Sequence, residues 1–441
     1  MSKAAVALVV LAAACKGGDR KTIARGDGGA PPVQVVDRGG AVTPPGAPEV
    51  EPNGEAATAM ALPTAGARGV LDGAADVDVY AITSEGARLL DARLAGMAGV
   101  DGKLELRDEA FAVIATADRG GAGVAERFPN LSLDRGRYFL VVREVVHAPK
   151  KKAKVDGGVG RVGPSPTYQL TATQAADPPA GGEREPDDDV GTANEVTLAT
   201  PVTGYVGWKG DVDAWKLAID GLADGDGLDV AVTAVPQVAL TVEITDAAGR
   251  RLVRQTGAAG APLTLRSIAP RVTPGEPTVQ FVLVSGAPAN PDTTYQLTVG
   301  SRLLELDEEA EPNDTDDRAS PLRFGTEDTG TMRGELGPGE TDRFALSPSP
   351  GPGSLDVVVD PPPGVEVTIA LAGGASGQGG PLGDRAQLSA APVAAHQPVI
   401  VVLTGKGKKG TPAGPYQLRW SLTTGAAPPV VEDDPMPPEE E

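Results

Sequence analysis

The chain has 441 residues, carries 60 acidic against 39 basic side chains for a net charge of -21, and is rich in Gly (58) and Pro (41) with only 3% aromatic residues. An acidic surface of that size repels phosphate backbones, which argues against nucleic acid as a partner, and the Gly and Pro content argues against long helices. A hydrophobic content of 40% is enough to bury cores, and the length suits about three domains.

The chain opens on Lys3, the apolar run Ala4 to Ala14 and the single cysteine, Cys15. The run is about half of what a bilayer span needs, so it reads as a processing signal over residues 1–14. A lone cysteine excludes an intrachain disulfide. These residues resemble the bacterial lipoprotein signal, which implies lipidation of Cys15 and attachment to a membrane through that lipid. One departure is Ala12 where the pattern usually has Leu, with Leu11 one place earlier, and a signal cleaved elsewhere is the alternative. Lys16 after the cysteine implies sorting to the outer membrane. Residues 15–47 have no hydrophobic period and include Pro31-Pro32 and Pro44-Pro45, so they read as a disordered, flexible tether.

A threefold repeat follows. Its first phrase is Glu-x-Glu-Pro followed by Asn or Asp, at Glu49 to Asn53, Glu183 to Asp187 and Glu309 to Asn313. The second has two carboxylates two apart and then an aromatic: Asp76, Asp78 and Tyr80; Asp211, Asp213 and Trp215; Glu340, Asp342 and Phe344. Each repeat closes on Tyr-Gln-Leu, at Tyr168, Tyr295 and Tyr416. A period of about 130 residues is too long for a solenoid unit, so each repeat is expected to be a domain with its own core, strung like beads over residues 48–175, 182–300 and 305–424.

Within a repeat the hydrophobic period is two. Trp215, Leu217 and Ile219 fall on one face, as do Tyr80 and Ile82 in the first repeat and Phe344 and Leu346 in the third, which places each aromatic in a core. Further β-rich runs stand at Leu228 to Val235, Val238 to Ile244, Leu355 to Val359 and Val365 to Leu371, with a turn at Asp246 to Gly249. Penultimate strands are expected at Tyr138 to Val142, Phe281 to Val284 and Val399 to Leu403. The fold class is therefore all-β: three tandem antiparallel sandwiches, with jelly-roll topology favoured. Residues 425–441, Pro-rich and ending in three glutamates, read as a disordered acidic tail.

Those motifs resemble the bacterial pre-peptidase C-terminal domain: the Glu-Pro-Asn-Asp opening at Glu311 to Asp314, the Gly210-Asp211-Val212-Asp213 turn, the Gly136-Arg137-Tyr138 start of a strand, and the closing Tyr-Gln-Leu. The resemblance implies β-sandwich modules that assist secretion or substrate attachment and hold a stabilising calcium ion through acidic residues. The corresponding candidates are Glu49, Glu51, Asn53, Asp76 and Asp78; Glu183, Glu185, Asp187, Asp211 and Asp213; and Glu309, Glu311, Asn313, Asp314, Glu340 and Asp342. Calcium takes six to eight hard oxygen ligands, which such residues supply; the alternative is that they serve only turn hydrogen bonds at strand ends. Asp187 for Asn and Glu340 for Asp depart from the pattern.

No catalytic constellation stands out. His147 and His396 lie in different repeats without metal-ligand or triad spacing, no phosphate-binding glycine motif is present, and no organic cofactor is implied. Signal, tether, modules and tail account for the sequence, so a non-enzymatic role is expected. Basic runs at Lys150 to Lys152 with Lys154, and at Lys406, Lys408 and Lys409, read either as solvated loops or as contacts for an anionic polymer. Two functions are open: an adhesive or structural envelope lipoprotein binding a protein or polysaccharide, and an accessory subunit of a separate secreted peptidase or other hydrolase.

Overall fold

The structure is a computed structural model that describes residues 46–146, 161–223, 225–270, 277–323, 328–379, 383–408 and 410–424. Cys15, His147, Lys150 to Lys152, Lys154, Lys409 and the acidic tail lie outside the described residues. The described chain is all-β apart from one short 3-10 turn, Asp316–Arg318, and forms six sheets in three pairs.

Each pair is a jelly roll. In the second repeat the eight main strands, first to eighth, are Val202–Val206, Val212–Ala218, Asp226–Val232, Ala239–Asp246, Arg251–Thr256, Leu263–Ile268, Val279–Ala287 and Asn290–Leu303. The first, eighth, third and sixth make one sheet, and the second, seventh, fourth and fifth make the other, the double Greek key of a jelly roll. The same order recurs around Val77–Ser84 in the first repeat and Thr341–Leu346 in the third, which are their second strands. The main strands pair antiparallel. Short strands at Met60–Ala61, Asn194–Val196 and Ser320–Leu322 add parallel to each second strand, a feature the hydrophobic pattern does not signal.

Alternation builds the cores. Along Val202–Val206 and Glu366–Leu371 every second side chain is buried, as a strand with one covered face requires. Tyr80, Trp215 and Phe344 are each almost wholly buried, so the three aromatics are core residues. Each repeat has its own apolar cluster. Burying one large aliphatic or aromatic side chain contributes roughly 1.5–3 kcal/mol, so clusters of this size suffice for each module to hold its two sheets together. The expected turn at Asp246 is present: Gly249 takes φ +75°, and Asp246 Oδ1 accepts the N–H groups of Ala248 and Arg250 at 3.0 and 2.9 Å.

Two expectations are corrected. Strand pairing extends into the expected tether, because Ala47–Pro48 pairs with the first repeat's first strand, Ala67–Gly69. The modules are also not separate beads, since backbone pairing and side-chain packing join each to the next. Phe128 of the first meets Trp208 of the second edge-on at 6.1 Å between ring centroids, and Arg127 donates to the Pro291 carbonyl at 2.6 Å.

Candidate metal centre

The acidic phrases of each repeat meet at one end of its jelly roll. Carboxylate oxygens of Glu49, Glu51 and Asp78, of Glu183, Glu185 and Asp213, and of Glu309, Glu311 and Asp342 each lie within 4.8 Å of one another. The same three positions of the repeat supply the residues every time.

Local geometry explains the convergence. The backbone N–H of Val79, Ala214 and Arg343 donates to the carbonyl of Asn53, Asp187 and Asn313 at 3.1, 3.1 and 2.9 Å, clamping the opening segment to the second strand beside its central aspartate. The Glu-Pro bonds at Pro52, Pro186 and Pro312 are all cis. The second glutamate folds back on its own segment, where Glu51, Glu185 and Glu311 accept the N–H of Asn53, Asp187 and Asn313.

The first glutamate reaches across to the other sheet. Glu49, Glu183 and Glu309 accept backbone N–H bonds from Val70, Tyr205 and Glu335, at 2.6, 2.9 and 2.5 Å. The residue before each donor is glycine: Gly69, Gly204 and Gly334. A Cβ there would fall inside the glutamate side chain, and at Gly69 and Gly204 also inside the Tyr168 or Tyr295 phenol. These glycines escape a reading of acidic motifs, although each stands eight or nine residues ahead of the central aspartate.

The tyrosine of the closing tripeptide completes the wall. Tyr168 Oη donates to Asp78 Oδ2 at 2.6 Å and lies 2.7 Å from the Tyr80 hydroxyl, and Tyr416 Oη donates to Glu309 at 2.5 Å. In the second repeat Trp215 Nε1–H donates to the Tyr295 hydroxyl at 2.9 Å.

Electrostatically the clusters are costly as bare carboxylates. Burial, reinforced by neighbouring carboxylates, pushes Asp78 up to about 8 and holds Glu183, Glu185, Asp213, Glu309 and Asp342 well above the usual carboxylate range. Burial likewise takes Glu311 to about 8 and Asp187 to about 7. Both oxygens of Asp213 and of Asp342, at 1% and 0% exposure, are without a hydrogen-bond partner among the described residues. One oxygen each of Asp78, Asp187, Asp211, Glu311 and Asn313 is in the same condition. Buried anionic oxygens left unpaired need a proton or a cation.

The remaining candidates divide. Asn53, Asp187 and Asn313 are fully buried beside the clusters. The first carboxylate of the second phrase serves the preceding loop instead: Asp76 accepts from Asp72 N–H, Asp211 from Gly207 and Glu340 from Gly337, at 2.6, 2.5 and 2.6 Å. All three therefore make a turn hydrogen bond, while Asp211 keeps its second oxygen, Oδ1, without a partner among the described residues. Asp314 is exposed, and its carbonyl accepts from Arg343 Nε at 3.1 Å, so its carboxylate stands apart from the cluster. His396 is an exposed loop residue.

All nine converging side chains are carboxylates, with no imidazole or thiolate beside them among the described residues. This donor set fits a hard cation such as calcium and is ill suited to zinc or copper. The third cluster is reached from a cleft of about 710 Å³ lined by Arg266, Glu309, Glu311, Glu340 and Tyr416.

No protein-family model matches the chain, and no curated protein matches it. Several solved structures are similar. The pre-peptidase C-terminal domain of collagenase from Bacillus anthracis is 19% identical over 30% of this chain and 99% of that domain, with a TM-score of 0.19. The CUB1-EGF-CUB2 region of human MASP-1/3 is 10% identical over 53% of this chain and 99% of that one, at a TM-score of 0.17. A triple jelly-roll protein of an archaeal virus turret is 10% identical over 79% and 82%, at 0.18.

Proposed function

We propose that the chain is a non-catalytic cell-envelope lipoprotein, anchored through Cys15, whose three jelly-roll modules are binding units stabilised by calcium. The observation that carries the cation is the threefold recurrence of a carboxylate trio at the same positions of the repeat, each built round a buried aspartate with an oxygen that has no hydrogen-bond partner among the described residues. Glu49, Glu51 and Asp78, and their counterparts in the other modules, would hold the ion through oxygen alone. The ion would supply charge neutralisation where burial otherwise forces proton uptake. The Tyr-Gln-Leu tyrosine and the glycine beside the first glutamate shape each site.

The test is calcium titration of the full chain by calorimetry. Three binding equivalents are expected, falling by one for each of Asp78→Asn, Asp213→Asn and Asp342→Asn. Absence of binding heat in the parent chain overturns the calcium reading. The role in the envelope is tested separately, by capture from an envelope extract. Recovery of polysaccharide or matrix protein supports adhesion, and recovery of a secreted peptidase supports the accessory role.

A further inference from the structure

We infer that the second and third cation sites are also the joints of the molecule, so that calcium stiffens the connections between modules. This inference rests on the calcium reading above.

The second glutamate of each later trio is bonded through its main chain to the preceding module. Glu185 N–H donates to the Asn130 carbonyl at 3.0 Å, and Ser132 N–H donates to the Glu185 carbonyl at 2.6 Å. At the next junction Glu311 N–H donates to the Ser267 carbonyl at 2.9 Å, and Ala269 N–H donates to the Glu311 carbonyl at 2.7 Å. Asn130 and Ser267 occupy the same place in the repeat, in the sixth strands Glu126–Leu133 and Leu263–Ile268. There the register against the third strand shifts and φ turns positive, to 53° and 58°. Such a bulge turns backbone groups away from their own ladder and frees them for an incoming segment. One residue therefore does two things: the Glu185 or Glu311 carboxylate faces Asp213 or Asp342, while its peptide groups form a parallel bridge to the module before.

Coupling follows from that covalent economy. Ionised carboxylates gathered without a counter-charge repel one another, and relief by outward movement of Glu185 or Glu311 would stretch the two backbone bonds it makes. A divalent ion removes the repulsion and fixes the glutamate, and the junction bonds are fixed with it. The first trio differs in kind. Glu51 is exposed, whereas Glu185 is 1% exposed, because no module precedes it among the described residues. Calcium there should stabilise the first module without affecting a joint. The third module's counterpart of Asn130 and Ser267 is Ala390, at φ 51°, but the residue matching Ser132 and Ala269 is Pro392, which has no N–H to offer.

The experiment is amide hydrogen exchange on the full chain with calcium chloride or with EDTA, beside calorimetry on the same samples. Ser132 and Ala269 are the reporters, since they belong to the preceding module and contribute no ligand. Calcium should slow exchange at both at least tenfold. Asp213→Asn should abolish the effect at Ser132 and keep it at Ala269, Asp342→Asn should do the reverse, and Asp78→Asn should change neither. Two independent joints keep the test decisive if one variant fails to fold. Three calcium equivalents bound with unchanged exchange at Ser132 and Ala269 would overturn the joint while leaving the sites standing. No binding heat would overturn both.

Discussion

The buried Tyr168 hydroxyl donates to the buried Asp78 Oδ2 across 2.6 Å, joining the last strand of the first module to the second strand of the opposing sheet. Tyr416 donates instead to Glu309, the counterpart of Glu49. Each phenol supplies a proton to a carboxylate that burial deprives of water, so its value lies in the acceptor it satisfies. Replacement by Phe preserves the ring and removes only the donor. Tyr168→Phe and Tyr416→Phe should each destabilise the calcium-free chain by about 1–3 kcal/mol in urea unfolding, with a smaller loss when calcium is present. Equal losses with and without calcium would separate the tyrosines from the site.

Glycine at 69, 204 and 334 is required by contact, not by turn geometry. At Gly334 an added methyl would overlap the Glu309 carboxylate carbon and both of its oxygens. Gly334→Ala should cost roughly 1–3 kcal/mol, and it should weaken calcium binding at the third site by displacing Glu309. Calorimetry on that variant should return two strong equivalents in place of three. Gly300, whose Cβ direction is open, is the control, and Gly300→Ala should bind as the parent does.

The fold was legible because local rules agree with it. Period-two alternation places Tyr80, Trp215 and Phe344 in cores, and the thrice-repeated phrases contain the glutamates and aspartates that converge in each repeat. The same pattern also takes in Asp76, Asp211 and Glu340, which accept loop N–H groups, because carboxylates two apart on an extended segment share a face whether they point at an ion or cap a loop. Gly69, Gly204 and Gly334 stayed hidden because a glycine carries no polar signal of its own. The junctions stayed hidden for another reason. The pairing of Glu185 with Asn130 and Ser132 joins segments more than 50 residues apart, and no local period encodes that register.

Asp292, on the second module, gathers three arginines of the first. Arg93 and Arg119 approach it at 2.8 Å and Arg127 at 3.8 Å. Burial alone would raise its carboxyl, but the Arg119 hydrogen bond and the charges of Arg119 and Arg93 hold it below the ordinary range. The group is 36% exposed, so each pair is screened and contributes little alone. A double-mutant cycle of Asp292→Ala with Arg119→Ala should give a coupling of about 1 kcal/mol or less, diminishing in high salt. A coupling that survives 1 M salt, where screening acts over roughly 3 Å, would mean that packing and not charge joins the pair.

The acidic trios set opposite pH dependences for the calcium-free and calcium-loaded chain. Asp78 moves from an ordinary 3.8 to about 8 on folding, and Glu311 from 4.5 to about 8, both chiefly through burial. A carboxyl raised in the folded state binds its proton more tightly there than in the unfolded chain. Its favourable contribution is complete below the unfolded value and is lost as pH rises through the folded one. In EDTA, stability should therefore fall between about pH 4 and pH 8, by up to about 1.4 kcal/mol per pH unit for each such group. Calcium needs the carboxylates ionised, so its affinity should climb over that same interval and its stabilising effect should grow where the free chain weakens. Urea midpoints at pH 5, 6.5 and 8, with and without calcium, should spread apart as pH rises. Parallel curves would mean that the trios do not exchange protons for the ion.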